Sequence, residues 1–145
     1  MLRTTYAQRG MVVAPHHLAA EAGVSVLKDG GNAVEAMVAA AATIAVVYPH
    51  MNGLGGDNFW LISSGGRAPK AIDSCGPAAA LASIDRYRSD GLDAVPARGP
   101  LAALTVAGAV GGWQMALEEA RAFGGRMPLT RLLEDAITYA REGFA

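Results

Sequence analysis

Residues 48–62 read YPHMNGLGGDNFWLI. Gly53, Gly55 and Gly56 crowd a loop between a long apolar run and a short aromatic–aliphatic run. Such a loop cradles a phosphate, brings the backbone close to a substrate, or turns a corner. A dinucleotide fingerprint needs strand, glycines, then helix, so that phosphate meets a helix N-terminus. Here the order is reversed, with the glycines following a helical run and preceding a strand-like one. The C-terminal end of a helix dipole repels anions, which argues against nucleotide. Two readings stay open at this point: glycines that permit positive φ and close packing, or a loop that lines a site.

The run before the loop is a helix from its pattern. Asn32 stands at an N-cap position with Glu35 three residues on, the spacing of a capping box. From there to about Val47 the sequence is apolar on every side, as a buried central helix requires. A charge at Val38 is expected to cost several kcal/mol. Upstream, His16–Lys28 has helical periodicity and is stopped by Asp29-Gly30-Gly31. MVVA, residues 11–14, reads as a short strand ended by Pro15, and residues 1–10 as a loose leader. Downstream, NFWLIS and PKAIDS form a hairpin around SGGR. Ser83 opens a short helix closed by Gly91, and residues 91–108 read as loop. WQMALEEARAF and LTRLLEDAITYARE are amphipathic helices, the second set between Pro128 and Gly143.

Composition narrows the function classes. The chain has 145 residues, room for about one domain. It is 52% hydrophobic and only 17% charged, against about 45–50% and about 25% in ordinary soluble domains. That surplus points to surface covered from outside, by a partner subunit or by more of the same polypeptide; the stop at AREGFA, at the end of a helical pattern, favours the latter. The formal net charge is −1 with no basic stripe, so nucleic acid is not an expected partner. The run Ala36–Tyr48 is too short to span a bilayer. One cysteine and no signal-peptide core give the expectation of a cytoplasmic protein.

The remaining chemistry-bearing residues form no complete catalytic set. His16 and His17, adjacent on a helix, point about 100° apart and make a poor chelating pair. With His50 they read as surface or capping residues, and no metal is expected. Cys75, in AIDSCGPAAA, reads as a small buried residue rather than a nucleophile. Glu118, Glu119, Glu134 and Asp135, with Arg126, Arg131 and Arg141, read as solvated helix faces.

In order, the blocks resemble one family. GMVVAPHHLAAEAGVSVLKDGGNAVEAMVAAAATIAVVYPHMNGLGGDNFWLI resembles the opening of the γ-glutamyltranspeptidase family. There a G-G-N-A-x-D/E-A helix start leads to a P-H…G-x-G-G loop and an aromatic–aliphatic strand. AIDSCGPAAA, TVAGAVGGWQMAL and MPLTRLLEDAITYAREGF are similar to the later blocks in order and spacing, so the resemblance covers nearly everything after Arg9.

The resemblance implies an α+β chain, the N-terminal portion of an αββα N-terminal-nucleophile hydrolase, with residues 11–145 an incomplete large-subunit domain. It implies self-cleavage before a threonine that opens the small subunit, the new terminal amine serving as base. That threonine and most substrate contacts are expected beyond residue 145, leaving no catalytic residue in this chain. The small subunit and a γ-glutamyl or other amide substrate are the implied partners, with no cofactor and no membrane.

One block departs from the pattern. Glutathione-acting members carry D-F-R-E-x-A-P after the second strand, with an arginine that grips the substrate carboxylate, a task suited to a guanidinium fork. Here Asp73-Ser74-Cys75-Gly76-Pro77 stands instead, placing Ser74 and Cys75 at the substrate-binding position, with Arg67 the nearest candidate replacement. The ID-x-CG block, RGPLAALTVAG and the absent secretion signal are more similar to the oxamate-amidohydrolase branch. Glutathione-type hydrolysis or transfer, oxamate hydrolysis and a non-catalytic scaffold are thus the alternatives. In the family frame Gly53, Gly55 and Gly56 are expected to serve tight turning, while Asp57 and Asn58 either reach the pocket or cap the loop.

Overall fold

The computed structural model describes residues 4–102 and 105–145. Two helices come first, α1 (His17–Lys28) and α2 (Ala33–Val47), then a hairpin of β1 (Asn58–Ile62) and β2 (Lys70–Ser74). A short α3 (Ile84–Ser89) and a 3-10 turn at Pro100–Ala102 precede α4 (Ala109–Ala122), α5 (Leu129–Leu132) and α6 (Glu134–Glu142).

Helix α2 is the centre, packed by α1, α4, α5 and α6. Its capping box forms as its sequence requires: Asn32 Oδ1 accepts from Val34 N and Glu35 N, while Glu35 Oε2 accepts from Asn32 N. Val38 is fully buried, and Ala36, Ala39 and Ala42 allow close approach of the neighbouring helices. Trp113, Ala116 and Ala120 of α4, Leu132 and Ala136 complete the core.

The hairpin is antiparallel, with Asn58 opposite Ser74 and Ile62 opposite Lys70. Alternation turns Trp60, Ile62 and Ile72 toward the core and Phe59 and Leu61 outward. Its turn closes by Arg67 N donating to Ser64 O, with Gly66 at φ 78°.

Four expectations need correction. Residues 11–14 form no strand; nothing pairs with them, and Val12 instead packs into the core beside Gly23. Helix α4 begins at Ala109, four residues before Trp113, because Gly111 and Gly112 continue the helix against the hairpin. The last amphipathic run is two helices meeting at Leu133. Arg131 is no solvated-face residue: its Nε and Nη2 hold Asp29 Oδ2 at 2.8 and 2.6 Å, and Nη2 also reaches Ser25 Oγ, tying α5 to the end of α1.

Candidate functional site

The β1 start and the β2 end lie side by side, and both rest on the first turns of α4. Ser74 Oγ donates to Gly108 O at 2.8 Å. Gly108 N and Ala109 N donate to Gly56 O at 3.0 and 2.9 Å, so the glycine loop is fastened to the α4 N-terminus. Val106 N donates to Pro77 O, and Ala78 bridges Thr105. The RGPLAALTVAG stretch lies partly outside the described residues, at 103–104.

The glycines that this arrangement requires are not those of the loop. A Cβ on Gly76 would stand 1.3 Å from Val106 O, one on Gly108 2.0 Å from Ser74 O, and one on Gly112 2.8 Å from Asn58 Oδ1. Gly53, Gly55 and Gly56 make their turns without positive φ, and a Cβ on any of them would meet nothing within 4 Å. The chain does turn at residues 54–56, and among the described residues neither φ nor a close contact requires glycine at these three positions.

Asp57 links the glycine loop to the end of the hairpin. Its Oδ1 accepts from Gly76 N at 3.4 Å, and the residue is among those lining a cavity of ≈ 540 Å³. The cavity lies between the end of α2, the glycine loop and the start of α4, with Pro49, His50, Asn58 and Trp113 in its wall. Among the described residues, no lysine or arginine lines it. Asn58 Oδ1 and Trp113 Nε1 are shielded from solvent and have no hydrogen-bond partner among the described residues.

Cys75 is exposed, not buried as expected, because β2 ends at Ser74 and the chain turns outward. Its backbone N donates to Asp73 Oδ1 at 3.0 Å. That bond and the thiol's own hydrogen bond hold the Asp73 carboxyl below its ordinary value. The same thiol–Asp73 bond, with partial burial and the negative charges of Asp73 and Asp57, pushes the Cys75 thiol up. Arg67 supplies no counter-charge. It sits at the opposite end of the hairpin, its guanidinium 5.3 Å from the Phe123 ring centre.

The histidines behave as surface and capping groups. His16 Nδ1 accepts from Leu18 N as the cap of α1, His17 stacks on it, and His50 packs on Tyr48. No group of three metal-ligating side chains occurs among the described residues. Sequence reasoning missed Gly108, Gly112 and Trp113, although Gly108 and Gly112 stand four residues apart, the spacing of one helix face.

Comparison with known proteins fits this arrangement. The model of the gamma-glutamyltranspeptidase family matches residues 19–145. The chain is 58% identical over 135 residues to an oxamate amidohydrolase proenzyme of Klebsiella pneumoniae, covering 92% of this chain and 25% of that protein. It is 43% identical to a glutathione hydrolase-like proenzyme, YwrD, of Bacillus subtilis, covering 99% of this chain and 26% of the relative. The gamma-glutamyltranspeptidase of Helicobacter pylori superposes with a TM-score of 0.84 at 30% identity, over 99% of this chain and 40% of that one. The chain thus spans about a quarter of the length of the curated relatives it matches. With its blocks in order, its central helix and hairpin superposed and the family model matched across most of its length, the chain belongs to the γ-glutamyltranspeptidase family.

Proposed function

We propose that the whole protein is a self-processing amidohydrolase acting on a small amide of the oxamate kind, and that this chain is the N-terminal part of its large subunit. In this reading the small subunit, cut from the same precursor, brings the nucleophilic threonine, and its terminal amine takes the proton. Three of this chain's threonines suit that role poorly: Thr43 is fully buried within α2, and Thr130 and Thr138 lie exposed on short helices.

The observation that carries the substrate reading is the end of β2, where Asp73, Ser74 and Cys75 stand while Arg67 lies at the opposite end of the hairpin. A γ-glutamyl α-carboxylate placed there would find no arginine in this block to grip it. The higher identity to the oxamate amidohydrolase, 58% against 43%, supports the same reading. Glutathione hydrolysis or transfer is the second reading, supported by the glutathione hydrolase-like relative, and it requires a cation from the rest of the protein.

The test is to assay the full-length enzyme for ammonium release from oxamate and for glutamate release from glutathione. Oxamate is expected to be favoured by on the order of a hundredfold in kcat/KM, as for a site built around a group its competitor lacks. Turnover of glutathione alone would overturn the reading.

A further inference from the structure

Three consecutive residues at the end of β2 are held from different directions. By strand alternation Ser74 shares a face with the buried Ile72, whereas Asp73 turns outward, and Cys75 beyond the strand is exposed. Ser74 therefore meets α4. Its Oγ donates to Gly108 O at 2.8 Å, and a Cβ on Gly112 would stand 3.0 Å from Ser74 Cβ. Cys75 N donates to Asp73 Oδ1 at 3.0 Å, and the buried Gly76 gives its N–H to Asp57 Oδ1 at 3.4 Å. The residue before Asp57, Gly56, accepts at its carbonyl from Gly108 N and Ala109 N. The bonds close a ring: the glycine loop holds α4, α4 holds Ser74, and Gly76 returns to the loop. Gly108 O already accepts from Gly112 N at 2.9 Å, so the Ser74 hydroxyl is not needed to satisfy that carbonyl. What the serine adds is the position of the strand end.

We propose that Ser74 and Asp57 are positioning residues for the substrate: neither touches it, and together they fix the Cys75–Gly76 backbone against which it binds. The inference rests on the reading that this block receives the substrate, and deepens it by dividing the work within the block. Ser74, at a substrate-binding position in sequence, has its side chain engaged by α4, and Gly76 has none. Of residues 74–76 only Cys75 presents a side chain outward. A small substrate makes few contacts, so the placement of each counts; a misplacement of about 1 Å costs on the order of a hundredfold in rate. Holding the block from two separate elements, the loop and α4, sets that placement before the substrate arrives. The block takes the part of the substrate that does not react, so loosening it weakens ground state and transition state alike and is read in KM.

The test uses the full-length, self-processed enzyme and whichever amide it turns over, so a failure on oxamate sinks the substrate reading and leaves this test standing. Ser74→Ala is expected to raise KM about fivefold, the scale of one hydrogen bond, with kcat within about twofold and the melting temperature kept. Asp57→Ala is expected to do the same. Asp57→Asn, whose Oδ1 still accepts from Gly76 N, is expected to restore the wild-type KM. An unchanged KM in Ser74→Ala overturns the proposal, as does a lowered melting temperature with KM kept, because the serine then serves the fold alone. Asp57→Asn as impaired as Asp57→Ala overturns it too, since the charge and not the hydrogen bond then matters. If Ser74→Ala fails to mature, the Asp57 pair decides by the same readouts. Substrate at about ten times KM is expected to slow iodoacetamide labelling of Cys75 by about tenfold, following the fall in free enzyme. Absence of that protection shows that the block does not receive the substrate, and the reading beneath the proposal falls with it. Protection with KM unchanged in the variants overturns the proposal alone.

Discussion

Glu35 Oε1 accepts the backbone N–H of Met127 at 2.7 Å, joining residues 92 positions apart. The other carboxylate oxygen, Oε2, accepts from Asn32 N, so one side chain that is 2% exposed serves two backbone donors. Asn32 continues the link by donating from Nδ2 to Ala120 O at 3.0 Å. A motif that begins as a local helix cap therefore fastens the end of α4 and the segment before α5 to the central helix.

Glu35→Ala is expected to leave both donors without partners. At about 1–3 kcal/mol for each unsatisfied buried group, the full-length protein should lose roughly 2–6 kcal/mol, read by denaturant unfolding. A loss under about 0.5 kcal/mol, the range of ordinary surface changes, would contradict this role.

Val38 is fully buried at the middle of α2. Val38→Asp would bury a carboxylate in an apolar cluster, and soluble yield is expected to collapse. Val38→Ala, which only opens a small cavity, should cost about 1–2 kcal/mol and leave a folded protein. Similar melting temperatures for the two variants would contradict a buried centre.

The glycines separate by contact. Gly76→Ala and Gly108→Ala drive a methyl group into backbone, at 1.3 Å from Val106 O and 2.0 Å from Ser74 O, so the hairpin end must part from α4. We expect more than about 3 kcal/mol of destabilisation or a failure to mature. Gly55→Ala meets nothing and needs no positive φ, so its effect on the melting free energy should stay within about 0.5 kcal/mol. A reversed order would show that the loop glycines, and not those of the hairpin junction, are required by packing.

The reactivity of Cys75 reports the charge around it. Hydrogen bonding to Asp73, partial burial and two nearby carboxylates raise its thiol above the ordinary value. At a given alkaline pH less thiolate is present, so alkylation by iodoacetamide should lag a free model thiol, and the rate-against-pH curve should shift upward. Asp73→Asn removes the largest cause and should shift the curve back down. Asp73 itself, with its carboxyl held low, stays charged from neutral pH into mild acid, so no change in the Cys75 environment is expected between those limits. Alkylation as fast as the model thiol would contradict the described contacts.

What could be read from sequence was local. The α2 cap was legible because Asn32 and Glu35 are three residues apart, and the hairpin because Gly65-Gly66 lies between two alternating runs. Ser74 and Cys75 could be placed at a strand end for the same reason. The rest depends on residues distant in the chain. Gly111 and Gly112 look like a loop until Asn58 and Ser74 are seen packed on them, and that contact is what lets α4 start at Ala109. Residues 11–14 have strand-like composition, but a strand needs a partner that only the tertiary structure names. Arg131 is indistinguishable in sequence from any helix-face arginine, yet it reaches back 102 residues to Asp29. Likewise nothing local shows that Trp113 and Asn58 share one cavity wall.

The central claim, that this chain is part of the large subunit of an enzyme that cuts itself, is met most directly by an intact mass of the purified full-length gene product. Two fragments are predicted, the larger containing this chain and the smaller beginning with threonine, and replacement of that threonine by alanine should leave one. A single uncleaved polypeptide that nevertheless hydrolyses oxamate or glutathione would contradict the account.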